Sequence, residues 1–404
     1  MSFTELWSGL EPIGRCAETG GYRRYSWTAA DTECRAWFTG QARARGLAVT
    51  ADRNGNLWAW WGEPGPGAVV TGSHLDSVPD GGAFDGPLGI VSALAAVDLL
   101  RERGAEPVRP VAVTAFVEEE GARFGVACLG TRLLTGVVTP DRARSLTDEA
   151  GRSFAQAMAA AGLDPDGIGP DEDLVGNIGA FVELHVEQGR ALEPLGRAVG
   201  IGESIWPHGR WRLDFTGVAD HAGTALLADR RDPMLPYAST VLAARRIASE
   251  RGALATFGKV IAEPGGSNGV PAAVHAWLDA RAAAEEVLRE TVTTVSYEAE
   301  KASAEQGVRF SVRQESATPV VRFNQGLRER ISDILGKHSL GDAPVLPTGA
   351  GHDAGVLAAR VPTAMLFVRN PTGVSHSPAE HADLADCEAG VLALAAVLEE
   401  LACR

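Results

Sequence analysis

Residues 68–89 read AVVTGSHLDSVPDGGAFDGPLG, and the order of their parts decides the fold. AVVTGS (68–73) is a run of small and β-branched residues without alternation, the pattern of a strand buried on both faces. His74 follows directly, then Asp76, then a loop rich in Gly and Pro that carries Asp85. LGIVSALAAVDLLRERG (88–104) has apolar residues at helical spacing and ends in a glycine stop. Strand, polar loop and helix form the repeating unit of a parallel α/β sheet. Ligands of such sheets sit at the carboxyl ends of the strands.

The unit recurs along the chain. PVAVTAFV (110–117) runs into Glu118-Glu119-Glu120, GAFVELH (179–185) ends in His185, and PTAMLFV (362–368) precedes GVSHSPAEH with His376. Upstream, residues 29–46 predict a helix stopping at Gly46, and LAVTADR and NLWAWWG predict short strands on either side of the Asn54-Gly55 turn. The pattern changes between 208 and 325. RWRLDFTGV alternates, PMLPYASTVLAARRIASER is helical, ALATFGKVIAE and VHAWLDARA are strands, a long amphipathic helix starts at Glu285, and VRFSVRQE closes the set. Strand, helix, two strands, helix, strand predicts a split βαβ, ferredoxin-like layer with its own core. The expected architecture is α/β: a mostly parallel-sheet domain of residues 1–207 and 326–404, with an α+β domain of residues 208–325 inserted into it.

Composition narrows the function classes. The chain has 404 residues, 45% hydrophobic, with a formal net charge of -15. An acidic chain gains nothing from counterion release on DNA or RNA, so no nucleic-acid partner is expected. The five cysteines are scattered and form no C-x-x-C pair, which argues against a disulfide framework and a thiolate metal site. No apolar run approaches the ~20 residues of a membrane span, and no signal peptide is visible, so a cytoplasmic protein without membrane contact is expected.

The polar residues at the strand ends carry the chemistry. Taken singly, a histidine in a polar loop or three adjacent glutamates in a turn are common features of a solvated surface. Together they are more specific, because four apolar strands each end in an imidazole or a carboxylate, and a parallel sheet brings such ends to one edge. Adjacent carboxylates repel unless something positive lies near them. Imidazoles and carboxylates without thiolates suit zinc, manganese, cobalt or nickel. The candidate ligands are His74, Asp85, His185, His376 and one of Glu118, Glu119 and Glu120, enough for two ions. Asp76 is close enough in sequence to orient the His74 ring. One glutamate can bind metal while its neighbour acts as a general base. No P-loop and no G-x-S-x-G elbow occurs.

These segments resemble the group of N-carbamoyl-L-amino-acid hydrolases, allantoate amidohydrolases and β-ureidopropionases, a branch of the dinuclear zinc aminoacylase–carboxypeptidase superfamily. The resemblance covers nearly the whole chain. It is carried by GSHLDSVPDGGAFDGPLG, EEGARF, ELHVEQG, DHAGT with RRDP, the stretch from Asn268 to Arg281 ending in LDAR, GAGHDA, and FVRNPTGVSHSPAE. It implies a homodimer built through the inserted domain and two divalent metal ions bridged by Asp85, with His74, Glu120, His185 and His376 as terminal ligands whose sharing is left open. It also implies Glu119 as general base, Asp76 as the residue orienting His74, and His221 reaching the partner subunit's active site to stabilise an oxyanion. Gln188, Arg210, Asn268 and Arg281 match positions that hold a small carboxylate substrate. The implied reaction is hydrolysis of a ureido C–N bond, with release of ammonia and carbon dioxide.

The chain departs from the common family pattern at several places. Glu118 stands where Asn is common, and the run Asp220-His221-Ala222-Gly223-Thr224-Ala225-Leu226-Leu227 replaces N-H-A-G-T-T-P-M. Asn268-Gly269-Val270-Pro271 replaces N-V-x-P, and Arg369-Asn370 replaces Pro-Ser. These changes are expected near the substrate pocket. Alternatives are an amidohydrolase of another N-acylated acid such as N-formyl-L-glutamate, a peptidase, or a binding protein with a dead site.

Overall fold

A computed structural model of the chain describes residues 2–338 and 342–403. The chain divides into two compact units, Met1–Ser204 with Arg322–Arg404, and Ile205–Val321.

The first unit is built on a nine-stranded sheet. Its centre is parallel: Val111–Phe116, Ala68–His74, Ile178–Val186 and Thr363–Val368 lie side by side in that order. The Ala68–His74, Val111–Phe116 and Thr363–Val368 strands are buried at every residue, which is why they show no alternation in sequence. Register pairs His74 with Phe116 and His185 with Phe367, so the polar residues at these strand ends meet at one sheet edge. The flanks are antiparallel. Leu57–Trp61 pairs with Val111–Phe116 and with Ala48–Ala51, and Val199–Ile205 pairs with Thr363–Val368.

The helices Pro87–Glu102 and Leu384–Ala402 pack on each other and on this sheet, burying Leu88, Leu94, Val97, Leu394 and Leu398. Each such side chain contributes roughly 1.5–3 kcal/mol of burial energy. A separate apolar cluster of Trp27, Phe124, Leu129, Leu133 and Phe154 underlies the loop that leaves Glu118.

The second unit is a four-stranded antiparallel sheet in the order Arg309–Thr318, His208–Thr216, Ala273–Arg281, Leu254–Glu263. With the helices Met234–Arg251 and Glu285–Glu305 between strands, this is the ferredoxin-like order. Trp211, Leu213, Phe215, Val274 and Leu278 fill its core, and the residues between them in sequence occupy the opposite face. Among the described residues, no helix is long and apolar enough to cross a membrane.

Candidate metal centre

His74 ends its strand and is almost fully buried. Its Nδ1 lies 3.0 Å from the backbone carbonyl of Asp76, which directs Nε2 into the site. The Asp76 carboxylate is farther from Nδ1, at 3.6 Å. The expected orienting contact therefore comes from the main chain. The carboxylate instead accepts from the backbone N–H of Glu119 at 3.2 Å and of Glu120 at 3.1 Å, one with each oxygen, and so fixes the acidic turn beneath His74. His185 is also buried, and its Nδ1 lies 2.9 Å from the Val186 carbonyl, so its Nε2 is left free for the same space.

Asp85 stands between two sets of groups. Its Oδ1 lies 3.5 Å from His74 Nε2 and 3.2 Å from His185 Nε2. Its Oδ2 lies 3.4 Å from His376 Nε2, which in turn lies 3.6 Å from Glu120 Oε2. The groups divide around Asp85: His74 and His185 lie by one of its oxygens, and His376, with Glu120 beside it, by the other. Gly86 makes this approach possible. It has φ of 85°, and a Cβ there would lie 2.4 Å from the His74 ring. Glu118, Gln188 and His376 also have left-handed φ, of 54° to 55°, each at a cost of roughly 1–2 kcal/mol.

Burial and charge pull against each other here. Burial disfavours a charged His74, yet Glu119, Asp85 and Asp76 outweigh it and lift the ring well above the usual imidazole range. Burial would raise Asp85, but the imidazoles of His185 and His74 hold it well below the usual carboxylate range. Glu119 and Glu120 are pushed well above it, by burial first and then by neighbouring carboxylates. Glu118 rises to about 7 through burial and the Asp76 charge.

A test of whether metal ions fit comes from polar atoms without partners. His74 Nε2, His185 Nε2 and Glu120 Oε1 are buried and make no hydrogen bond. Each orphaned atom costs about 1–3 kcal/mol. The two imidazole nitrogens face Asp85 Oδ1, Glu120 lies beside His376 next to Oδ2, and the donor set is the one that borderline divalent cations prefer. The residues fit two such ions.

Several contributors escaped the sequence reading. His352, from GAGHDA, is buried with its ring 4.5 Å from that of His185 and its Nε2 unpartnered, and burial followed by the His185 charge holds it well below the usual imidazole range. Glu183, His185 and His352 form a further group close enough to share an ion. There, however, Glu183 already accepts from Ser73 Oγ at 2.8 Å and from the Ala354 N–H at 3.0 Å. Cys128 Sγ donates to Glu119 Oε1 at 3.3 Å. Glu380 accepts from the Phe84 and Asp85 N–H groups. Gln188, expected among the substrate residues, donates from Nε2 to Asp85 Oδ2 at 2.7 Å and leaves a buried Oε1 unpartnered. The Arg369-Asn370 departure is explained by the loop itself. Arg369 pairs with Asp386 at 2.7 Å and Glu193 at 3.3 Å, while buried Asn370 ties together residues 370–374.

In the second unit, His221 and Asn268 are neighbours, because the two-residue strands Asp220–His221 and Gly269–Val270 pair. His221 Nδ1 accepts from the N–H groups of Gly223 at 3.0 Å and Thr224 at 3.2 Å, so its ring proton sits on Nε2. Arg210 and Arg281 converge on Asp279, which the sequence reading passed over. Arg281 Nε donates to it at 2.8 Å, and Arg210 Nε lies 3.6 Å away. Burial would raise Asp279, but Arg281 and then Arg210 hold it below its usual range. Two guanidinium groups therefore meet around one carboxylate.

A profile described as Peptidase family M20/M25/M40 matches residues 70–400. The N-carbamoyl-L-amino acid amidohydrolase of Geobacillus stearothermophilus is 36% identical, with 98% of each chain covered. The allantoate amidohydrolase of Escherichia coli strain K12 is 34% identical over 95% of this chain and 93% of that protein. An amidase of the hydantoinase/carbamoylase family from Burkholderia vietnamiensis superposes with a TM-score of 0.90 at 29% identity, covering 100% of this chain and 98% of that one. By these full-length matches the chain belongs to Peptidase family M20/M25/M40, alongside its hydantoinase/carbamoylase amidases.

Proposed function

We propose that this protein is a homodimeric, dinuclear metal amidohydrolase that cleaves the ureido C–N bond of an N-carbamoyl acid, such as allantoate or an N-carbamoyl-L-amino acid. The observation that carries the reading is Asp85, with one oxygen 3.2 Å from His185 Nε2 and the other 3.4 Å from His376 Nε2. His74, His185 and Asp85 would hold one ion and Glu120, His376 and Asp85 the other; zinc or manganese suit the donors first, then cobalt or nickel. Bound there, the ions supply Lewis acidity toward the substrate carbonyl and an attacking water.

The chain's own residues do the rest. Glu119 takes a proton from the water and returns it to the leaving nitrogen. His221, serving the partner subunit's site, donates its Nε2–H to the developing oxyanion. Arg210 and Arg281 hold the substrate carboxylate by forked hydrogen bonds, with Asn268 and Gln188 completing its recognition. The scattered cysteines, with no C-x-x-C pair, suit a reducing compartment, and we place the enzyme in the cytoplasm.

A product assay on the metal-reconstituted protein tests the substrate class. Ammonia from allantoate or N-carbamoyl-L-amino acids is the expected result. Formate from N-formyl-L-glutamate without ammonia from any carbamoyl acid would move the assignment to another N-acyl bond.

A further inference from the structure

The two halves of the centre are built by different means. His74 and His185 belong to buried strands, and each ring is fixed through Nδ1 by a nearby carbonyl. Asp85 and His376 belong to loops without ladder hydrogen bonds, and the His376 side chain is 51% exposed. Burial does not fix His376, so something else must bring these loops into register.

Glu380 touches both loops and is itself 5% exposed. Its Oε1 accepts from the N–H of Phe84 at 2.9 Å and of Asp85 at 3.0 Å. Its Oε2 lies 3.2 Å from Ser375 Oγ, and the same hydroxyl lies 3.2 Å from Asp85 Oδ2. Its own N–H donates to the Ser377 carbonyl at 3.0 Å, closing the loop around His376. Gly82 lies against the same carboxylate. A Cβ there would meet Glu380 Oε1 at 2.3 Å and Cδ at 2.4 Å, so a side chain at 82 would displace it.

We propose that Glu380 is a positioning residue that clamps the Asp85 loop to the His376 loop and so assembles the Glu120/His376 half of the centre. The inference rests on the dinuclear reading above. Glu380 is not a ligand in this assignment; it acts through the backbone of Asp85 and the hydroxyl beside His376. Its removal therefore weakens the loop-built half most, because the His74/His185 half shares only Asp85 with the clamp and keeps both strand-fixed rings. Outer partners of metal ligands typically change affinity by about 10–100-fold.

The test is titration of metal-free full-length protein with cobalt(II), read by visible absorption and by metal content after gel filtration. Wild type is expected to bind two equivalents. Glu380→Ala should weaken the second equivalent by at least about tenfold and the first by clearly less. Glu380→Gln keeps an oxygen for both backbone N–H groups and an amide for Ser375, and should restore the second equivalent. Gly82→Ala displaces the carboxylate without removing it and should reproduce the Glu380→Ala result, which keeps the test open if Glu380→Ala misfolds. Both equivalents at wild-type affinity in Glu380→Ala and Gly82→Ala would overturn the inference. So would equal weakening of both equivalents, or a Glu380→Gln variant no better than Glu380→Ala. Fewer than two equivalents in wild type would instead contradict the dinuclear reading itself.

Discussion

Single residues in this centre work through particular atoms. Asp76 orients His74 with its carbonyl and holds the Glu119–Glu120 backbone with its carboxylate. Glu119 has one oxygen tied by Cys128 and the other 3.7 Å from His74 Nε2. Replacing Glu119 with Ala should leave bound metal unchanged and lower turnover by at least about 100-fold, as expected for loss of a proton-transfer group. Persistent turnover would remove Glu119 from that role. Asp31 offers a pH test away from the centre. It is buried, accepts from the Trp27 N–H at 2.8 Å, and burial raises its carboxyl to about 6. An unfolded Asp titrates near about 4, so between the two values the folded state holds the extra proton and stability falls as pH rises. Asp31→Asn should therefore match wild type in Tm near pH 4 and exceed it by a few degrees at pH 7, for roughly 3 kcal/mol of linkage at most. A Tm difference independent of pH would contradict this account of Asp31. Residue types at strand ends were legible in the sequence. The atoms they use were not, because a carbonyl contact leaves no trace in the identity of a side chain.

At the scale of elements, the centre depends on how strands end and loops pass over them. The four central strands were legible as unbroken apolar runs, since burial on both faces removes alternation. The antiparallel direction of Leu57–Trp61 beside them was not, because a buried run carries no record of direction. The Arg369-Asn370 pair shapes its loop: Arg369 is anchored to Asp386 and Glu193, and Asn370 bonds within residues 370–374. Gly86 shows how tightly a loop can be specified. In Gly86→Ala the new methyl meets the His74 ring at 2.4 Å on a backbone with φ of 85°. Metal content should fall along with activity, and Tm should drop by a few degrees for about 1–3 kcal/mol of strain. Wild-type metal content in that variant would mean that the loop moves aside without disturbing His74.

For the whole molecule, the change from unbroken to alternating runs near residue 208 made an inserted layer legible, because a half-exposed sheet must alternate. Asp279 stayed hidden, since only cross-strand register brings Arg210 to it beside Arg281, two residues along its own strand. The proposed dimer makes a prediction at this scale. Glu119→Ala and His221→Ala homodimers should each be inactive. Mixed at equal ratio after subunit exchange, they should recover about a quarter of wild-type activity, because one intact site forms in each heterodimer. No recovery despite proven exchange would place His221 in its own subunit's site or outside catalysis. The central claim is the paired centre on Asp85, and anomalous diffraction from crystals of metal-loaded protein tests it most directly. The account predicts two peaks about 3.5–4 Å apart, one among His74, His185 and Asp85, the other among Glu120, His376 and Asp85. A single peak, or a second one displaced among Glu183, His185 and His352, would contradict it.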